Sequence, residues 1–96
     1  MRVANKACRR FVEAREEFDG SNIFARIRPN GDYTVFSYGY HFPMYHYDQK
    51  NGNWYQNTTR FSASTSRHQS QTKPSNVSEF IQVEVTEMKR IANIKG

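Results

Sequence analysis

The chain has one cysteine, Cys8, so an internal disulfide is excluded and a reducing compartment is expected. Long apolar runs are missing too. Met1 is followed by Arg2 and Lys6, and neither a signal peptide nor a membrane span is expected. Acidic side chains are absent from Gln49 to Ser78, a stretch that carries Lys50, Arg60, Arg67 and Lys73. This argues against a protein that mimics DNA with carboxylates and favours an anionic partner, although a balance of +5 also serves solubility alone. Apolar residues reach only 36% while aromatics reach 15%, so the interior must be built from a few large side chains. With 96 residues there is room for one domain and one modest core, and any active site would be shallow.

Ala4, Ala7, Cys8, Phe11, Ala14 and Phe18 recur at helical spacing, and Asp19-Gly20 supplies a stop, which predicts a helix over 3–19. Its charges oppose the helix dipole, with Arg2, Lys6, Arg9 and Arg10 early and Glu13, Glu16, Glu17 and Asp19 late. Pairing of Arg9 and Arg10 with Glu13 would offset this, and the early cations are a candidate docking surface. Cys8 is expected to be a small buried hydrophobe.

Ile23 to Arg28 alternates as a strand, Pro29-Asn30-Gly31-Asp32 reads as a turn, and Tyr33 to Tyr40 reads as a central strand. Pro43 forces a bend or an edge. Met44 to Tyr47, a loop from Asp48 to Asn53, a return strand from Trp54 and a last strand at Arg60 to Ser62 complete a meander. From Gln56 to Ser78, fifteen of twenty-three residues are Ser, Thr, Asn or Gln, as in a surface segment with one short helical turn near 64–70. Ile81, Val83 and Val85 alternate as a strand, and Thr86 is placed to cap a final helix with Met88, Ile91 and Ala92 on one side and Lys89, Arg90 and Lys95 near its end. The expected fold is α+β: an N-terminal helix over 3–19, an antiparallel sheet of four to five strands over 22–62, a polar surface segment over 63–78, and a strand with a short C-terminal helix over 80–95.

The run Asp32-Tyr33-x-Val35-x-Ser37-Tyr38-Gly39-x-His41-x-Pro43, then Tyr47-Asp48, Trp54-Tyr55-x-Asn57, and Ser64-Thr65-Ser66-Arg67-His68-x-Ser70-Gln71-x-x-Pro74, resembles a family of small bacteriophage-encoded proteins. The resemblance covers roughly Phe24 to Pro74 and brings no assigned activity with it. It implies a phage or prophage protein working in the cytoplasm of a bacterial host. By analogy of setting and size, such a protein acts by binding, as inhibitors of host defence complexes and anti-CRISPR proteins do.

Four readings stand against that background. Metal binding is not expected: His41 and His46 are at an odd spacing, no cysteine pair is present, and no cofactor is implied. Metal-independent phosphodiester cleavage would use His41 and His68 as acid and base, with Arg67 and Lys73 steadying the phosphorane. The plainer reading makes His41 a sheet residue and His68 a backbone-ordering one. A stacking platform for single-stranded nucleic acid would use Tyr38, Tyr40, Tyr45, Tyr47, Trp54 and Tyr55 with Arg26, Arg28, Lys50 and Arg60, at the expense of a core that needs most of those rings. Binding to a host protein or nucleoprotein complex asks least of the geometry. Its candidate residues are Tyr40, Tyr45, Tyr47, Trp54, Tyr55, Arg26, Arg28, Lys50, Arg60, Arg67 and His68.

Overall fold

A computed structural model describes residues 2–60 and 62–92. Helix α1 (Cys8–Glu13) follows a short 3-10 turn at Asn5–Ala7, and the strands β1 (Phe18–Asp19), β2 (Ile23–Ile27), β3 (Tyr33–Ser37), β4 (Pro43–Asp48) and β5 (Asn53–Asn57) come next. Helix α2 (Ala63–Thr72), strand β6 (Ile81–Val83) and helix α3 (Val85–Ile91) complete the α+β fold. The strands form one six-stranded sheet in chain order, antiparallel except for β6, which runs parallel to β5, so the sheet extends beyond the four to five antiparallel strands expected over 22–62.

Register assigns the faces. Ala25, Val35, Tyr45 and Gln56 are aligned across the sheet, as are Arg26, Thr34, His46 and Tyr55. The first row faces α1 and α2. There Cys8, Phe11 and Val12 meet Phe18, Ile23, Tyr33, Val35, Tyr45 and Trp54 in the main core. The second row faces α3, which buries Met88 and Ala92. Burial pushes the Cys8 thiol up to about 11, so at neutral pH it is a protonated, space-filling group.

The first helix stops well short of residue 19. Arg15 adopts φ 54°, its N–H bonds the Val12 carbonyl, and the Glu16 N–H bonds the Phe11 carbonyl, a Schellman termination with arginine in the left-handed position. The unfavourably placed acids thereby leave the helix and find other partners. Glu17 accepts from the Ile27 N–H at 2.7 Å, and Asp19 pairs with Arg26 at 2.7 Å while β1 joins the sheet. The Arg15 guanidinium lies 4.5 Å over the Tyr47 ring, which helps hold a residue other than glycine there.

Four further expectations are corrected. Strand β3 ends at Ser37, not Tyr40, because Tyr38 turns left-handed at φ 68°. Residues 58–60 form no strand, Phe61 lies outside the described residues, and Ser62 instead caps α2, its hydroxyl accepting the Thr65 N–H at 3.1 Å. That helix runs ten residues rather than one turn. Thr86 lies inside α3, whose first N–H is bound by the Thr59 hydroxyl at 2.9 Å; Lys95 is outside the described residues. Pro43 behaves as expected of a residue without a donor: it opens β4 opposite Phe36, where the register shifts.

Asn57 ties these pieces together. Its amide donates to the Pro43 carbonyl at 2.9 Å, its side-chain oxygen accepts the Thr59 N–H at 2.9 Å, and its own carbonyl accepts from Gln69 at 2.7 Å. Asn57→Ala leaves buried groups unpaired and is expected to cost about 2 kcal/mol in urea unfolding. Ser64→Ala, on the exposed side of α2, is expected to stay within about 0.5 kcal/mol of the parent.

Candidate binding site

The stretch from Ser37 to Phe42 links β3 to β4. The Ser37 N–H bonds the Phe42 carbonyl at 3.1 Å and the Phe42 N–H bonds the Gly39 carbonyl at 3.2 Å, closing a β-turn with Tyr40 and His41 at its centre. Tyr38 is pinned by its N–H to the Asn22 carbonyl at 2.8 Å. A side chain at Gly39 would bring a Cβ within 2.9 Å of the His41 Nδ1, so glycine lets the imidazole fold back over the backbone.

Tyr38 is 50% exposed and Tyr40 51% exposed, among the largest apolar surfaces the described residues offer to solvent. Tyr40 packs edge-on against Phe24 and Phe36, with centroids 5.0 and 4.9 Å away. Tyr38 lies 5.3 Å from the His68 ring, beside the exposed Arg67 of α2. His68 is itself buried, its Nδ1 2.8 Å from the Ser37 hydroxyl. Desolvation, aided by the Arg67 charge, lowers its pKa below the usual histidine value.

A second buried imidazole lies on the other face. His46 has Nδ1 2.8 Å from the Thr34 hydroxyl and Nε2 2.9 Å from an Asp32 carboxylate oxygen. A neutral ring that donates from Nε2 and accepts at Nδ1 satisfies both partners. Desolvation lowers its pKa, outweighing the opposing effect of Asp32. Sequence reading did not find this trio, because Thr34 and His46 meet only through the β3–β4 register. Thr34 is fully buried, so its hydroxyl is a strut of the sheet with no path to a substrate.

Of the candidate partner-binding residues, Tyr45 and Trp54 belong to the core: Tyr45 is fully buried and donates its hydroxyl to the Gln69 carbonyl at 2.9 Å, and Trp54 packs between Tyr33, Tyr47 and Phe80. Tyr47 and Tyr55 are half-buried, Tyr47 under Arg15 and Tyr55 against His46. Arg26 is paired with Asp19, and Arg28 lies 5.8 Å over Phe36. Lys50 stands in the β4–β5 turn, at the other end of β4 from Tyr40, while Arg60 lines a separate groove with Gln69 and Gln82. Of the four residues considered for phosphodiester cleavage, His68 adjoins Tyr38, Arg67 is exposed one residue before it on α2, His41 is exposed in the turn, and Lys73 sits 5.7 Å over Phe80. Among the described residues no three His, Cys, Asp or Glu side chains gather as a metal site, and no helix is long and apolar enough to cross a membrane.

No family model, curated protein or solved structure matches the chain.

Both buried histidines have lowered folded-state pKa values, so the unfolded chain takes up protons first as pH falls. Their stabilisation is complete above the unfolded value of 6.5 and is lost as pH drops from there toward their folded values. Thermal melting is expected to hold steady from pH 8 to 7 and to decline toward pH 5, with a shallower decline in His68→Gln.

Proposed function

We propose that this chain is a small phage-derived binding protein that modulates or inhibits a host defence or nucleic-acid complex, in the manner of an anti-CRISPR protein. Its contact surface is the β3–β4 turn with the adjoining end of α2, where Tyr38, Tyr40, His41 and Arg67 face outward. The supporting observation is Tyr38, a bulky residue held at φ 68° with half its surface in water. A left-handed tyrosine costs of order 1 kcal/mol where glycine would cost nothing, and conformations of this kind persist where function requires the side chain. Exposed tyrosine beside arginine is also the residue chemistry that dominates interface energetics.

A two-histidine phosphodiesterase fits less well. His68 is buried, with Nδ1 bound to Ser37, and its lowered pKa follows from burial in a structural contact. The phage setting rests on the sequence resemblance, and the host complex on analogy with proteins of that setting.

Tagged protein incubated with phage-infected host lysate is expected to retain a discrete protein or nucleoprotein partner. Tyr38→Gly and Tyr40→Ala are expected to lower that retention at least tenfold. Tyr38→Gly should leave the urea midpoint unchanged or raise it, by at most about 1 kcal/mol of stability, since it relieves the backbone. Retention that survives both substitutions would sink the assignment of this surface.

A further inference from the structure

Of the early cations, Lys6, Arg9 and Arg10 form no close ion pair with the carboxylate that helical spacing offers, although the Arg9 charge still acts on Glu13. Glu13, the acid one turn beyond Arg9 and Arg10, is taken by the 73–78 segment: it accepts the Ser75 N–H at 2.8 Å and the Ser75 hydroxyl as well. Among the described residues neither Lys6, Arg9 nor Arg10 has a carboxylate within 4.0 Å. These three cations, with Ala7, Glu13 and Ser75, line an open basin of about 450 Å³.

The basin borders α2. A guanidinium N–H of Arg9 donates to the Ser70 carbonyl of α2 at 2.6 Å. Ser70 and Arg67 are three residues apart on that helix and therefore neighbours on its surface. His68, next to Arg67, carries the Tyr38 ring. The basin cations Lys6, Arg9 and Arg10 thus adjoin α2, the helix that exposes Arg67 and carries Tyr38 on His68, while Tyr40 packs over Phe24 and Phe36 on the other face of the sheet.

We infer that these cations are a phosphate track for a single strand of nucleic acid, whose backbone lies along α1 and α2 and whose bases stack on Tyr38 and, where the strand turns round the end of the sheet, on Tyr40. The inference rests on the β3–β4 turn being the contact surface. The pairing of cations with rings selects this ligand class. Cations with stacking rings are the pairing that binds single strands, whereas a duplex hides the base faces that the rings would stack on, and poly-glutamate separates charge from stacking in the test. Backbone contacts of this kind carry little sequence preference, so the strand is recognised as a class and not by its bases.

The test is fluorescence anisotropy of the full chain with a labelled twenty-nucleotide poly(U) or poly(dT) strand, across a salt series. Binding is expected to weaken with salt, at a slope of about −0.7 in log–log form for each phosphate neutralised. Lys6→Glu and Arg10→Glu are each expected to weaken it at least fivefold. Lys50→Glu, which makes the same charge change in the β4–β5 turn, should shift it less than twofold. Circular dichroism and melting of each variant exclude loss of fold. The track is overturned if the strand does not bind, if Lys50→Glu matches the basin variants, or if poly-glutamate or duplex DNA binds as tightly. Failure of the turn looks different: Arg10→Glu loses binding while Tyr38→Gly with Tyr40→Ala keeps it. If lysate capture depends on the tyrosines but no oligonucleotide binds, the binding-protein reading stands and the track falls.

Discussion

A helix with no large apolar side chain is held against the sheet by hydrogen bonds, and the candidate surface depends on that attachment. Ala63–Thr72 reads Ala-Ser-Thr-Ser-Arg-His-Gln-Ser-Gln-Thr, and apolar burial gives it little reason to dock. His68 meets Ser37 at 2.8 Å, Gln69 meets the Asn57 carbonyl at 2.7 Å, and Tyr45 reaches back to the Gln69 carbonyl at 2.9 Å. Each such bond adds only about 1 kcal/mol net, but breaking one strands a buried polar group, which costs more. The contacts therefore specify one position for α2 more than they add stability. That position sets His68 under Tyr38 and gives Arg9 its carbonyl partner.

The opposite face uses the same principle with a different trio. Asp32, His46 and Thr34 satisfy one another within the sheet, and α3 closes over them with Met88 and Ala92. The chain thus has two buried neutral imidazoles, one on each side of the sheet, each fixed by a hydroxyl. A chain with few aliphatic residues fills space with aromatic rings and orders the remainder with polar bonds that leave few alternative arrangements.

The acids of the first helix show how local electrostatics and tertiary structure cooperate. Glu16, Glu17 and Asp19 would lie at the negative end of a longer helix, where the dipole disfavours them. Ending the helix at Glu13 lets Phe18 enter the core and places Glu17 and Asp19 where backbone and arginine donors wait. Capture of Glu13 by Ser75 follows from the return of residues 73–78 past α1, a contact more than sixty residues distant in sequence. The unpaired basic surface is a by-product of that long-range closure.

Composition and periodicity alone specify the α+β class, the positions of the inner strands, the aromatic core, the buried cysteine and the polar character of residues 63–78. Each of these follows from periodicity or composition, which act over a few residues. Helix length, the parallel pairing of β6 with β5 and the cap of α3 depend on tertiary structure, because the partners of Glu17, Tyr55 and Val85 lie ten to twenty-six residues away in sequence. The candidate surface divides the same way. The cluster of tyrosines and the basic Arg67 were legible, but which tyrosines face water was not, since Tyr38, Tyr40, Tyr45 and Tyr47 share one composition and one neighbourhood. The left-handed turn at Tyr38 and the β3–β4 register separated them, burying Tyr45 and leaving Tyr38 and Tyr40 outside. Backbone conformation at one residue depends on all the contacts that hold it, and no local pattern encodes those.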